Sequence, residues 1–180
     1  SLVGSEMCIR DRYNIYSSEW PVTNRLVELY LQRKSDNNGW EREINGISNN
    51  EKANLLMERY SFKELLSDVE HRDLLNNTIS LKGYCLFAPA EVNMGVSLFR
   101  DSLYALLERN EFRNMRFENL LDTLEMISGA DIRAGISGWD RPTPLPFYTI
   151  GQPEVIKITN KGQESFVLKQ LVSNNSDNDG

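Results

Sequence analysis

With 180 residues, 40% of them hydrophobic, the chain is long enough for one domain with a core of its own, or for a small domain plus part of another. Its net charge of −6, with the Lys and Arg residues scattered, argues against a nucleic-acid partner, which needs grouped cations to neutralise phosphates. No apolar run approaches the roughly 20 residues needed to cross a bilayer, so this stretch is expected to be soluble, while a membrane-associated parent protein is compatible with it.

Residues 1–12, Ser-Leu-Val-Gly-Ser-Glu-Met-Cys-Ile-Arg-Asp-Arg, show neither a signal peptide's basic start and apolar centre nor a helix or strand period. The string resembles translated sequencing-adapter sequence, as found at the ends of reading frames assembled from environmental DNA. It is expected to be non-native, with the natural sequence starting near Tyr13; the alternative is an ordinary frayed terminus. Cys8 and Cys85 stand far apart with no ligand-spaced partner and are expected to be unpaired thiols. The single histidine, His71, sits among charges and is expected on a solvated helix face.

A helical domain is predicted over 13–140. Val22, Leu26 and Tyr30 recur at helical spacing from Pro21 to about Lys34, with Ser18 as a cap and Glu19 suited to the first turn. A polar loop containing Trp40 follows, from Ser35 to Ser48. Asn49 or Asn50 is expected to cap a helix carrying Ala53, Leu56, Met57 and Tyr60, and Ser61-Phe-Lys-Glu64 matches a capping box. The apolar stretch Leu81–Ala90 is interrupted by Pro89. Val92, Val96, Phe99, Leu103, Leu106 and Leu107 share one face and predict the clearest helix. Leu120, Leu121, Leu124 and Ile127 mark the next, stopped at Ser128-Gly129, and a short helix is expected from Asp131 through Ile136 towards Trp139.

Pro142, Pro144 and Pro146 force an extended linker over 141–152, because each ring removes a donor and biases the preceding residue away from the helix. Strands are predicted at Glu154–Thr159 and Ser165–Val172, joined by an Asn160-Lys161-Gly162 turn. An isolated hairpin is marginal in water, so residues 153–180, ending in the polar run from Ser173, read as the first strands of an incomplete β-domain. The predicted fold class is mainly α: a multi-helix domain followed by the first strands of an incomplete β-sandwich.

No H-E-x-x-H, G-x-S-x-G, P-loop or G-x-G-x-x-G motif is present, and spacing alone picks out no carboxylate pair. Four features in order nevertheless stand out: Ser-Ser-Glu19-Trp-Pro at a helix start; Leu81-Lys82-Gly83-Tyr84 opening an apolar helix; the long helix with Phe99; and Leu120-Leu121-Asp-Thr-Leu-Glu-Met-Ile-Ser-Gly-Ala-Asp-Ile132 running to Trp139. Together, over about Tyr16 to Tyr148, they resemble the M1-type (gluzincin) metallopeptidases downstream of their zinc-binding helix, in particular variants fused to bacterial transporter permeases.

The resemblance implies an aminopeptidase-type zinc hydrolase in the parent, acting on a peptide, with Glu19 as the third zinc ligand. In that family two histidines one helical turn apart and this carboxylate hold the metal, and a glutamate between the histidines takes a proton from the bound water. By the family spacing the second histidine falls just before residue 1. This chain is therefore expected to be an inactive fragment that lacks its catalytic subdomain and its last strands. It departs from the family at Ser80, where active members carry a tyrosine that stabilises the oxyanion, so a degenerate, inactive parent is also compatible.

Each residue has a plainer explanation. Glu19 suits the helix dipole, Ser80 suits a helix cap, Lys82 suits a surface or salt bridge, and Trp139 suits a core anchor. The competing reading of the whole chain is a non-enzymatic helical interaction or scaffold module, or the extracytoplasmic part of a membrane transporter.

Overall fold

In the computed structural model, which describes residues 13–32, 44, 46–145, 148–160 and 163–174, the chain divides into two compact units between Thr143 and Pro144. The expectations for residues 1–12 with Cys8, the Trp40 loop, Pro146, the Lys161-Gly162 turn and residues 175–180 lie outside the described residues. The fold is mainly α, with six α-helices and a few short strands among the described residues.

Helix α1 (Thr23–Gln32) starts later than its sequence suggests. Its first hydrogen bond runs from Leu26 N to the Val22 carbonyl, so Pro21 sits just ahead of the turn, where its missing donor costs nothing. Ser18 lies five residues ahead of the helix, too far to be the expected cap, and the Ser17 hydroxyl accepts from the backbone N–H groups of Glu19 and Trp20 in the bend before it. Strand β1 (Asn14–Tyr16) precedes it and pairs in parallel with β2 (Asn114–Arg116), about a hundred residues away in sequence. The Ile15 N–H donates to Asn24 Oδ1, and its carbonyl accepts from Thr23 Oγ1. The start of α1 thus supplies partners for a backbone group pair that a two-stranded sheet leaves over.

Helix α2 (Asn49–Met57) is capped by Ser48, not by Asn49 or Asn50. Ser48 and Glu51 form a reciprocal capping box. Asn50 instead accepts a hydrogen bond from the Asn77 side chain. Helix α3 (Phe62–Ser67) opens with the expected Ser61–Glu64 box.

A 3-10 turn (Arg72–Leu74) leads into α4 (Leu75–Met94), which runs through Pro89 without ending. Gly95, at φ +85°, stops it, and α5 (Val96–Arg109) follows at once. This corrects the single face drawn from Val92 to Leu107. The glycine breaks the helical phase, so Val92 is 83% exposed and Val96 is also exposed, while Phe99, Leu103 and Leu107 are buried.

Helix α6 (Phe117–Ser128) buries Leu120, Leu121 and Leu124 and ends, as expected, on Gly129 in the left-handed conformation, with Ile127 exposed. Beyond it Asp131 accepts from Ala134 N and starts only a 3-10 turn (Arg133–Ile136), with turns leading on to Trp139. The core of this unit gathers Leu26, Phe87, Phe99, Leu103, Phe117 and Leu120 around α4. No helix among the described residues is long and apolar enough to cross a membrane.

The second unit is a β-ribbon. Strand β3 (Tyr148–Ile150) pairs antiparallel with β6 (Val172–Asn174), and β4 (Glu154–Asn160) with β5 (Gln163–Lys169). Between the two ladders the register slips by one residue, so the first chain segment carries one extra residue around Gly151–Pro153, the arrangement of a β-bulge. Pro153, which has no N–H to donate, falls in this interruption.

Candidate functional site

Three residues carried the sequence-based site: Glu19, Ser80 and Lys82. Glu19 lies four residues before α1, on an exposed bend, so it does not act as a first-turn acid, and α1 has none. Its neighbour Trp20 is buried against Phe62 and Trp139, with ring centroids 6.0 and 5.0 Å away. The Trp20 indole N–H is buried without a hydrogen-bond partner among the described residues.

Ser80 is the sixth residue of α4 and half-buried, which rules out the expected cap. Lys82 departs furthest from expectation. It is 5% exposed, and its Nζ donates to the Thr143 carbonyl at 3.1 Å. Burial pulls its pKa below the usual 10.5. The helix that carries it begins two turns earlier than the Leu81-Lys82 step, at Leu75, which turns Lys82 and Gly83 inward.

Helices α1 and α4 run parallel. Arg25 Nε donates to Asn76 Oδ1, Leu26 lies against Gly83, and Tyr30 OH donates to Glu91 Oε1 at 2.7 Å. Partner numbers rise together along both helices, so Ser80 lies on α4 at the end of the pair where α1 begins. The fourth feature closes on the same elements. Trp139 stands 4.9 Å from Phe62 between ring centroids, its carbonyl accepts from Lys63 N, Ser61 bridges Pro142, and Thr143 receives Lys82. Trp139 is the expected core anchor.

His71 is half-buried, not on a solvated helix face. Its Nδ1 lies 2.6 Å from Asp68 Oδ2 at the junction of α3 and α4, with the Tyr60 ring alongside. Asp68 holds the imidazole pKa above the usual 6.5, with the charges of Glu70 and Asp73 adding to the effect, and the same contact lowers Asp68. Cys85 lies half-buried on α4 and is in no disulfide among the described residues.

For zinc, the described residues contain no group of three His, Cys, Asp or Glu side chains able to hold a metal. Glu19 offers one carboxylate, which is not a site by itself. The partners of Lys82 and Glu19, namely the Thr143 carbonyl and the Ser17 hydroxyl, escaped the sequence reading. A backbone carbonyl leaves no mark in sequence, and the Ser17-Ser18 pair hides which hydroxyl is used. No protein-family model, curated protein or solved structure matches the chain.

Proposed function

We propose that this chain is the helical part, downstream of the zinc-binding helix, of an M1-like metallopeptidase domain, and that it has no activity alone. In this reading Glu19 is the third zinc ligand, and the two histidines and general-base glutamate belong to sequence outside the chain. The remaining partners are the catalytic subdomain and further strands of the same polypeptide, with a peptide as substrate of the whole.

The observation that carries the reading is the meeting of all four family-like stretches in one body. The Glu19-Trp20 bend and α1, the Lys82-Gly83 step, the Phe99 helix and the Trp139 segment pack around α4.

A second reading, a helical scaffold without chemistry, is favoured by Lys82 and Ser80. The lysine is spent on a backbone carbonyl, and residue 80 offers an aliphatic hydroxyl where a phenol would be needed.

The deciding experiment is to recover the natural reading frame upstream of Tyr13, express it joined to this chain, and measure bound zinc and aminopeptidase turnover. An H-E-x-x-H whose last histidine precedes Glu19 by about 18 residues, with one zinc bound and lost in Glu19→Ala, supports the peptidase reading. A frame without that motif sinks it and leaves the scaffold.

A further inference from the structure

A single residue, Gly95, separates α4 from α5. Its N–H closes the last turn of α4 on the Glu91 carbonyl, and its own carbonyl accepts the first bond of α5 from Phe99 N. Both helical ladders therefore run up to this residue, and only its φ of 85° and ψ of 142° keep them apart. That backbone conformation is open to glycine and strained for a residue with a Cβ. No side chain caps the start of α5.

The sequence around this joint is patterned for a straight helix. Val92, Val96, Phe99 and Leu103 stand at helical spacing on one stripe. In the bent form only the second half of the stripe is used: Phe99 and Leu103 are buried, while Val92 is 83% and Val96 53% exposed. Straightening would also pair the N–H groups of Val96, Ser97 and Leu98 with the carbonyls of Val92, Asn93 and Met94, helical bonds that the bent joint leaves unmade. What opposes it is the packing of everything beyond the joint. The Phe99 ring lies 5.7 Å from that of Phe87 and 6.0 Å from that of Tyr30, Arg100 donates to the Leu31 carbonyl, Asn93 donates to the Ser128 carbonyl, and β2 pairs with β1. One chain cannot straighten and keep these contacts. Two chains can, if each receives the other's segment from α5 onwards, because the same contacts are then remade between copies.

We propose that Gly95 is a hinge on which α4 and α5 open into one continuous helix, with the segment beyond it exchanged between two copies of this chain. The exchange keeps the core of each helical unit, relieves the uncapped joint, and brings the Val92–Val96 stripes of the two copies together where the long helices cross. The proposal stands independently of the peptidase reading.

The test is size-exclusion chromatography with light scattering on the 180-residue chain, refolded at low and at high concentration. The parent should form a dimer only in the concentrated refolding. Gly95→Ala strains the bent joint and favours the helix, so its dimer should be tighter by about tenfold or more. Val96→Pro suits the first turn of α5 and forbids the continuous helix, so it should melt no lower than the parent and stay monomeric throughout. Exchanged copies must unfold to separate, so the Gly95→Ala dimer should persist on dilution, whereas a contact between surfaces would dissociate at once. A folded Gly95→Ala protein that is monomeric at every concentration overturns the proposal, as does a dimer that survives Val96→Pro or falls apart on dilution. If Gly95→Ala does not fold, the parent decides: no dimer after concentrated refolding overturns the exchange.

Discussion

Leu26 and Gly83 meet where α1 crosses α4, so closely that a Cβ on residue 83 would stand 3.0 Å from Leu26 Cγ and 3.1 Å from Leu26 Cδ2. An alanine inside a helix is ordinarily worth about 1 kcal/mol over glycine. Here the sign should reverse. Leu26 is fully buried, and its carbonyl oxygen, 3.4 Å from the same point, limits retreat of the backbone. Gly83→Ala is expected to lower stability by about 1 kcal/mol, through overpacking. A urea melt reads this as a reduced midpoint with unchanged slope, and a midpoint at or above the parent's would refute the close contact.

Lys82 gives a prediction with a pH signature. Methionine keeps most of the buried stem and removes the charge, so Lys82→Met should stay within about 1 kcal/mol of the parent, whereas Lys82→Ala leaves a cavity and should cost about 2 kcal/mol or more. The folded pKa lies below 10.5, so between the two values the unfolded chain holds more protons, and stability should rise with pH across that window. In Lys82→Met that rise should vanish. Melting curves from pH 8 to 11 that run parallel in the two proteins would mean the amine is not buried.

What the sequence disclosed divides along the range of the interactions. The Ser61–Glu64 box and the Ser128-Gly129 stop were legible because every participant lies within four residues. Ser48 cannot be told from Asn49 or Asn50 in sequence because adjacent polar residues all suit a cap, and only the reciprocal Glu51 contact selects one. The β1–β2 pair was invisible: three residues on each side carry no periodicity, and their partner lies far along the chain. Lys82 reads as a surface residue because lysine is so seldom buried, and its inward position shows only in the packing of α4. For the candidate site, Glu19, Ser80 and Lys82 stand out in the sequence, while the parallel α1–α4 pair that puts Ser80 at the end where α1 begins comes from packing alone.

His71 offers an unambiguous titration, because it is the only histidine in the chain. Its folded pKa is raised above 6.5, so the stability it contributes is fully present below 6.5 and is lost as pH rises through the folded value. Asp68, lowered from 3.8, contributes above 3.8 and loses that contribution as pH falls through its folded value. The pair therefore operates between those limits. An NMR titration of the single imidazole should give a midpoint above 6.5, and Asp68→Asn should bring it back towards that value. An unchanged midpoint in Asp68→Asn would show that the 2.6 Å contact is not the cause.

Trp139 tests whether the exit segment is part of the helical unit's core or merely lies over it. Its ring meets Trp20 and Phe62 edge-on, at centroid distances of 5.0 and 4.9 Å, and only 2% of it is exposed. Trp139→Ala should cost about 3–5 kcal/mol, and Trp139→Phe considerably less, since phenylalanine keeps an aromatic edge in the same place. The backbone bond from Lys63 N to the Trp139 carbonyl and the Lys82–Thr143 bond do not involve the ring, so in isolation they would survive the substitution. If they hold the segment unaided, limited tryptic proteolysis should cut Trp139→Ala no faster after Arg133 than the parent. Packing of the ring predicts the opposite: early cleavage after Arg133 in Trp139→Ala, together with a red shift of the Trp20 emission as its buried indole becomes wet. Slow cleavage with unshifted emission would remove Trp139 from the core and, with it, one of the four stretches on which the peptidase-like reading depends.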